Sequence, residues 1–212
     1  MTDPSPTTRR GRLFVVAAPS GAGKTSLLRA LMALEPALGF SVSYTTRKPR
    51  INEVEGRDYF FVDHERFERM IAAGEFVEHA RVFDNYYGTA QSTVQAALAE
   101  GRDLILEIDW QGARQVRARL PEAHHVFILP PSRATLEARL RKRSTDSDAA
   151  IARRLQDSVT ELSHWREFDY VVINDDFDTA LADLHSIFRG DGDALHSDRP
   201  GLAEFAAGLL QA

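Results

Sequence analysis

The sequence predicts an α/β fold in which a parallel sheet is flanked by helices, and two observations support this prediction. The first is a set of four short, almost continuously apolar runs, typical of strands buried on both faces: "LFVVAA" (13–18), "LILEI" (104–108), "HVFIL" (125–129) and "YVVIN" (170–174). The second is that helical patterns lie between or after these runs. Strands that alternate with helices indicate a parallel sheet with right-handed crossovers.

Helices are predicted where apolar residues recur every three or four positions. The first pattern, 24–35, stops before Pro36 and places its leucines on one side: Leu27, Leu28, Leu31 and Leu34. Further patterns cover 112–120, 132–142, 149–166 and 177–188. A final amphipathic helix is predicted over 201–211. Its apolar face packs either on this chain or on a second subunit, so a homo-oligomer stays open.

Residues 40–89 interrupt this alternation with shorter pieces ("FSVSYTT", "DYFFV", "EFVEHARVF") around one predicted helix, Asp63–Ala73. The pattern predicts an inserted, mixed α+β lobe that is mostly antiparallel. We expect a disordered tail over 1–11, a core over 12–39 and 90–188, and a linker with the C-terminal helix over 189–212. A polar segment within about 140–155 ("RKRSTDSDAA") predicts a mobile lid.

Composition narrows the classes of function. The chain has 212 residues and a net charge of −5, whereas proteins that bind nucleic acid are more often basic. It contains no cysteine, which excludes disulfides and thiolate metal sites. No run approaches the ~20 apolar residues of a membrane span, and "MTDPSPTTRRGR" has no hydrophobic segment that could act as a secretory signal. We expect a cytoplasmic enzyme without nucleic-acid or membrane partners.

The stretch "APSGAGKT" (18–25) follows the first predicted strand and opens the first predicted helix, as a phosphate loop G-x-x-x-x-G-K-[ST] requires. Glycines let backbone N–H groups converge on phosphate oxygens, and the helix N-terminus adds its positive dipole end. Lys24 would reach the β- and γ-phosphates of ATP, and the Thr25 hydroxyl would ligate Mg²⁺. Alanine replaces the first glycine, which is acceptable where φ is negative. The sequence therefore predicts a P-loop NTPase core with this ATP-binding set: Ala18, Pro19, Ser20, Gly21, Ala22, Gly23, Lys24, Thr25 and Ser26.

Beyond this loop, four stretches resemble the guanylate kinase family in its bacterial form: "SVSYTTRKPRINEVEGRDYFFV", "GEFVEHARVFDNYYGT", "DLILEIDWQG" and "VINDDFDTAL". The resemblance covers about residues 12–188, and its motifs stand in the family's order and spacing. It implies a kinase that phosphorylates GMP, and usually dGMP, with MgATP to give GDP and ADP. It also implies that 40–89 is a GMP-binding lobe and that the lid covers ATP.

The resemblance assigns the GMP phosphate to two arginines and two tyrosines: Arg47, Arg50, Tyr59 and Tyr87. Taken singly, the arginines could be surface charge and the tyrosines half-buried aromatics. The resemblance places Glu78 on the N1–H and N2–H₂ donors of guanine, Ser43 near O6, and Thr89 nearby. A carboxylate accepts both donors together, whereas adenine would leave it unpaired. Glu107 stands where the family usually has an aspartate that contributes to the GMP site.

For the transfer itself, the resemblance implies three arginines that hold ATP phosphates and stabilise the transferring group: Arg139, Arg143 and Arg154. Lys24 and Arg47 join them as predicted catalytic residues. Asp109, at the end of a core strand, matches an aspartate that acts on Mg²⁺, so Thr25 and Asp109 form the predicted metal site. Asn174 resembles a residue near the adenine of ATP.

Other classes of protein fit this sequence less well. Guanylate-kinase-like domains of scaffold proteins keep the fold and bind peptides without catalysis, but they typically lose the phosphate loop or the lid arginines that this chain retains. A P-loop kinase with another phosphorylated acceptor would keep the ATP machinery and lose Ser43 and Glu78. We therefore expect an ATP:GMP phosphotransferase with MgATP and GMP or dGMP as its small-molecule partners.

Overall fold

The computed structural model describes residues 9–82, 84–142 and 148–211, and of 148–154 the backbone alone. No helix among these residues is long and apolar enough to span a lipid bilayer. The chain divides into two compact units. Of the described residues, the first unit holds 9–14, those within Pro36–Leu106 and Gln115–Ala123, and the second holds Val15–Glu35, Glu107–Arg114 and those within 124–211.

The strands confirm the four predicted core strands to within one residue at either end and add short strands in the inserted segment. They are β1 (Leu13–Ala17), β2 (Gly39–Phe40), β3 (Tyr44–Thr45), β4 (Phe60–Phe61), β5 (Phe76–Val82), β6 (Asn85–Ala90), β7 (Leu104–Glu107), β8 (His124–Leu129) and β9 (Tyr170–Ile173). The helices are α1 (Lys24–Leu34), α2 (His64–Ala72), α3 (Gln91–Ala99), α4 (Trp110–Arg119), α5 (Arg133–Lys142), α6 (Asp148–Leu162), α7 (Phe177–Arg189) and α8 (Leu202–Gln211), with 3-10 turns at Trp165–Glu167 and Asp193–Leu195.

A five-stranded sheet has the strand order β2-β7-β1-β8-β9. In the first unit β2 pairs with β7 in parallel, with Gly39 opposite Leu104. In the second unit β8 pairs with β9 in parallel, from Val126 opposite Tyr170 to Leu129 opposite Ile173. Strands β1, β7 and β8 are buried along almost their whole length, as their continuous apolar runs predict, whereas only Val171 and Val172 are buried in β9.

A second sheet lies wholly in the first unit and has the order β4-β3-β6-β5. Strand β6 runs antiparallel to both β3 and β5, while β3 and β4 are parallel, so the prediction of a mostly antiparallel lobe is confirmed. Helix α2 begins after Asp63, whose side chain accepts a hydrogen bond from the Arg66 N–H at 2.7 Å. Its Phe67 and Met70 pack with Phe76 in a small buried core.

Three details differ from the sequence prediction. Helix α3 was not predicted, although Val94, Ala97 and Leu98 are buried along it, because alanine and glutamine give it a weak amphipathic pattern. Leu34 is exposed, since α1 ends at this residue. The helix predicted to reach 166 ends at Leu162, and a 3-10 turn then buries Trp165.

The C-terminal helix packs against its own chain. Leu202, Ala206 and Leu209 of α8 are buried, and α8 lies against α6 within the second unit. Of the two arrangements that the sequence left open, the structure therefore shows the first.

Candidate active site

A glycine-rich loop joins β1 to α1 and has backbone geometry suited to phosphate. Gly21 and Gly23 adopt positive φ values of 92° and 96°, which residues with a Cβ rarely adopt. A Cβ on Gly23 would also lie 2.3 Å from Nδ2 of Asn174. Gly23 precedes α1 as its N-cap, and free N–H groups and the helix dipole attract anions at such an end. The Pro19 carbonyl accepts the Ala22 N–H at 3.1 Å, which tightens the turn.

Asn174 and Arg139 hold this loop through hydrogen bonds. The Asn174 side chain is buried and donates from Nδ2 to the Ala22 carbonyl at 2.6 Å. Arg139 donates to the Asn174 carbonyl at 3.1 Å and approaches the Ala22 carbonyl at 3.4 Å. The side chains of two predicted site residues thus contact the backbone of the loop. Buried hydrogen bonds of this kind fix a loop because breaking one leaves a polar group unsatisfied.

Lys24 and Thr25 at the start of α1 both face the end of β7. The Thr25 hydroxyl donates to Oε1 of Glu107 at 2.7 Å. The Lys24 ammonium donates to the Ile108 carbonyl at 3.2 Å and lies 3.9 Å from the same carboxylate oxygen. The sequence assigned Glu107 to the acceptor site, and its described contacts are with the phosphate loop.

Asp109 shapes the start of α4. Its Oδ1 accepts the Gly112 N–H at 2.8 Å, and its Oδ2 accepts Nε2 of Gln111 at 3.1 Å. The described residues contain no group of three or more acidic or histidine side chains that could hold a metal by themselves. The two predicted donors, the Thr25 hydroxyl and the Asp109 carboxylate, are of the kind that Mg²⁺ takes, because this ion usually binds only one or two carboxylates and completes its octahedron with water and substrate phosphates.

Two residues of α6 that the sequence analysis did not single out also contact the phosphate loop. Oε2 of Glu161 accepts the Ser20 N–H at 2.9 Å, and the buried Ser158 hydroxyl lies 3.3 Å from the Ser20 carbonyl. Burial raises the pKa of Glu161 above its usual value, against the opposing effects of the Ser20 hydrogen bond and the Lys24 charge. No local motif marks these residues, because their partner is 138 to 141 positions away.

The predicted lid lies partly outside the described residues. Arg143 falls outside them, as does the side chain of Arg154, whose backbone belongs to α6.

In the first unit, the structure brings together the side chains of Arg47, Tyr59 and Tyr87. The Arg47 guanidinium lies 5.3 Å from the centre of the Tyr59 ring, and that ring lies 6.0 Å from the Tyr87 ring, edge to face. Hydrogen bonding to Glu53 is the main cause that raises the pKa of Arg47, with Tyr87 adding to it. A guanidinium and two phenols therefore share one half-buried cluster.

Glu53 completes this cluster and was missed by the sequence analysis. Its Oε1 accepts from the Arg47 guanidinium at 2.7 Å, and its Oε2 accepts the Arg50 N–H at 2.8 Å. The hydrogen bond from Arg47 is the main cause that lowers the pKa of Glu53. The Arg50 side chain is exposed. A carboxylate near two arginines is a common surface pattern, so the sequence alone carried no signal for it.

Glu78 and Thr89 form a buried polar pair on β5 and β6. Glu78 is 2% exposed and Thr89 is 0% exposed, and the Thr89 hydroxyl donates to Oε1 of Glu78 at 2.6 Å. They stand opposite one another in the β5–β6 register. Ser43 is half-buried, and its carbonyl accepts the Phe60 N–H at 2.9 Å. A buried carboxylate and a buried hydroxyl are therefore joined across β5 and β6.

The chain is similar to known guanylate kinases over most of its length. The family model "Guanylate kinase" matches residues 10–191. The chain is 55% identical to a guanylate kinase of Methylococcus capsulatus, over 95% of this chain and 98% of that protein. It is 54% identical to a guanylate kinase of Alkalilimnicola ehrlichii, over 94% and 98% respectively.

A solved structure gives the same answer. The crystal structure of guanylate kinase from Anaplasma phagocytophilum superimposes with a TM-score of 0.69 at 32% sequence identity, over 93% of this chain and 94% of that one. The family model and these relatives extend over most of the chain, and the phosphate loop and the buried Glu78–Thr89 pair lie within the matched residues. This chain belongs to the guanylate kinase family.

Proposed function

We propose that this chain is a nucleoside monophosphate kinase that transfers the γ-phosphoryl group of MgATP to GMP, and to dGMP, giving ADP and GDP or dGDP. The single observation that carries the choice of acceptor is the buried Glu78 carboxylate with the Thr89 hydroxyl 2.6 Å away. The choice of donor follows from the phosphate loop.

The ATP phosphates bind along the loop 18–26 in this proposal. The positive φ of Gly21 and Gly23 and the N-terminus of α1 supply backbone donors, and Lys24 supplies a positive charge to the β- and γ-phosphates. Arg139 is anchored beside the loop by the carbonyls of Asn174 and Ala22. Asn174 itself belongs to the adenine side of the site, and Arg143 and Arg154 are proposed to complete the charge around the phosphates.

Mg²⁺ is proposed to bind at Thr25 and Asp109, with Glu107 holding the Thr25 hydroxyl. When bound there, the metal neutralises phosphate charge and orients the phosphates. The Thr25 hydroxyl donates its hydrogen bond to Glu107, which leaves the lone pairs of the hydroxyl oxygen available to a metal.

The acceptor phosphate is proposed to bind at Arg47, Tyr59 and Tyr87, with Arg50 nearby in sequence. A guanidinium presents forked donors that match a phosphate dianion, and the two hydroxyls add neutral donors. The Arg47 side chain pairs with Glu53 at 2.7 Å. Glu53 therefore orients the guanidinium and also competes with phosphate for it.

Guanine is proposed to be read by Glu78, Thr89 and Ser43. The N1–H and N2–H₂ groups of guanine both donate to one carboxylate, and a hydroxyl donates to O6. Adenine lacks this pair of donors and would leave the buried carboxylate unsatisfied, so rejection by on the order of 10⁴-fold is expected. If Glu107 instead joins this site, its loss raises the KM for GMP.

The chemistry requires no nucleophile from the protein. An oxygen of the GMP phosphate attacks the γ-phosphorus, the bond from that phosphorus to the bridging oxygen of ADP breaks, and ADP leaves with the bonding electrons. Lys24 and the arginines stabilise the charge on the transferring group, and a single arginine of this kind is worth roughly 10³–10⁵ in rate. Closure over both substrates would keep water from the γ-phosphate.

The cellular location and the partners of the enzyme are also proposed. We place the enzyme in the cytoplasm and expect no nucleic-acid partner. A non-catalytic peptide-binding module is not favoured, because this chain keeps Gly23, Lys24 and Thr25 in their places in the loop motif.

A direct test couples ADP release from MgATP to a panel of acceptors: GMP, dGMP, AMP, UMP and none. We expect release that depends strongly on GMP or dGMP. Release without any acceptor would indicate an ATPase. ATP binding without acceleration by any nucleotide would overturn the kinase proposal and favour a binding role.

A further inference from the structure

The strand that carries Glu78 is irregular immediately before this residue. Strand β5 pairs with β6 so that Phe76 stands opposite Ala90 and Glu78 stands opposite Thr89. An advance of two residues along β5 therefore corresponds to one residue along β6. The extra residue, Val77, forms a β-bulge. A bulge turns the side chains that follow it, and bulges are common beside active sites for this reason. The direction of the Glu78 carboxylate thus depends on how the bulge is held.

Helix α4 holds the backbone on the N-terminal side of Glu78. Nη1 of Arg119 donates to the Val77 carbonyl at 2.9 Å, and it also donates to the Phe76 carbonyl. Both carbonyls belong to the bulge. Hydrogen bonds from a charged donor are about twice as strong as neutral ones, so this one guanidinium opposes any change in the bulge.

The same helix holds the residue on the other side of Glu78. Oε1 of Gln115 accepts the His79 N–H at 3.1 Å, and Nε2 of Gln115 donates to the His79 carbonyl at 2.6 Å. The side-chain amide thus takes the place of a further strand at the edge formed by β5, the last strand in the order β4-β3-β6-β5. Burial lowers the pKa of His79, and the charge of Arg119 adds to this effect.

We propose that Gln115 and Arg119 are positioning residues for acceptor recognition, which hold the β5 bulge so that Glu78 meets the N1–H and N2–H₂ groups of guanine. Both act through Glu78 and touch no substrate themselves. This inference rests on the proposed function. It goes beyond that function because two residues of α4, a helix that begins directly after the proposed metal residue Asp109, would influence which base the enzyme accepts.

The expected effect is confined to the acceptor. Recognition sites need their groups within about 0.5 Å of the working position, and a displacement of about 1 Å can cost on the order of 10²-fold. Loss of the hydrogen bonds from either Gln115 or Arg119 should therefore raise the KM for GMP by about tenfold or more. IMP has N1–H and O6 but no N2 amino group, so the preference for GMP over IMP should fall. The KM for ATP and the kcat at saturating GMP should stay within about twofold.

The test uses Gln115→Met, which keeps the length of the side chain and removes both hydrogen bonds, and Arg119→Met. Gln95→Met on α3 is the matched control, because Gln95 is an exposed helical glutamine outside both proposed sites. Arg119→Lys can still donate to a carbonyl and should recover part of the preference. Kinetic constants for GMP, IMP and ATP are measured for each variant, with thermal unfolding to check folding.

A rise in the KM for GMP with a lower GMP-to-IMP preference, rescued in part by Arg119→Lys and absent from Gln95→Met, is the result expected. If Arg119→Met does not fold, Gln115→Met and Arg119→Lys carry the same test. An unchanged KM for GMP, or equal changes in the KM for GMP and the KM for ATP, would overturn the positioning role. The proposed function would still stand in that case. A wild-type enzyme that does not phosphorylate GMP would overturn both.

Discussion

The Thr25 hydroxyl donates a 2.7 Å hydrogen bond to Oε1 of Glu107, so the first turn of α1 and the end of β7 are joined at the proposed metal site. The same carboxylate lies 3.9 Å from the Lys24 ammonium. Glu107 therefore orients the proposed metal-binding hydroxyl and lies close to the cation that would meet the phosphates.

This relationship predicts different effects of two substitutions at Glu107. Glu107→Gln keeps an acceptor for the Thr25 hydroxyl, whereas Glu107→Ala removes it, at about 1 kcal/mol for an ordinary hydrogen bond. We expect Glu107→Ala to need more Mg²⁺ for half-maximal rate and to lower kcat about fivefold to tenfold, with Glu107→Gln less affected. A Mg²⁺ titration of the rate checks this. An isolated rise in the KM for GMP would instead return Glu107 to the acceptor site.

Glu78→Gln tests the proposed reading of guanine. The amide oxygen accepts one donor, but the NH₂ group of the new side chain faces the donors of the base. Hydrogen bonds to charged groups contribute about 1.5–3 kcal/mol, so the KM for GMP should rise roughly tenfold to 100-fold. The KM for ATP in the same variant is the internal control. Equal rises for both substrates would argue for general damage to the fold.

The contact between Gly23 and Asn174 predicts that the loop tolerates change at only one of these positions. Gly23→Ala places a Cβ 2.3 Å from Nδ2 of Asn174 and imposes φ 96° on alanine, and such backbone strain costs about 1–3 kcal/mol. Asn174→Ala removes one buried hydrogen bond to the Ala22 carbonyl. ATP binding, measured by calorimetry, should be lost in Gly23→Ala and weakened about tenfold in Asn174→Ala. Wild-type affinity in Gly23→Ala would contradict the loop geometry.

Glu161 predicts a pH dependence of stability. Its pKa is raised in the folded protein, chiefly by burial, so the folded state binds the proton more tightly than the unfolded state does. This contribution is fully present below the usual glutamate pKa and is lost as pH rises through the raised value. Glu161→Gln does not lose this contribution. As the pH rises through the raised pKa, the free energy of unfolding of Glu161→Gln should therefore increase relative to that of the wild type.

Urea unfolding at a series of pH values measures this difference. Glu68→Gln, at an exposed position of α2, is the control and should show no trend. A wild-type protein that gains stability over Glu161→Gln as the pH rises would contradict the account.

Features encoded by neighbouring residues were predicted from the sequence. The four core strands are short runs of Val, Ile, Leu and Phe, and burial on both faces leaves no other pattern. The phosphate loop is equally local, because Gly21, Gly23, Lys24 and Thr25 stand within five positions. The family resemblance then supplied Arg47, Tyr59 and Tyr87, which lie together in the structure.

Features that depend on distant contacts were not predicted. Glu161 meets Ser20 across 141 positions, and Gln115 meets His79 across 36. In the sequence both are ordinary polar residues of a helix. The hydrogen bond of Glu107 with Thr25 is another such contact, because it depends on how α1 follows the loop.

The most direct measurement uses ATP labelled in its γ-phosphorus, Mg²⁺ and GMP, and identifies the product that carries the label. We expect the label to pass to GDP in step with ADP formation, dGMP to accept it also, and AMP to accept it on the order of 10⁴-fold less efficiently. Label found in inorganic phosphate, or passed equally to AMP, would contradict the proposed function.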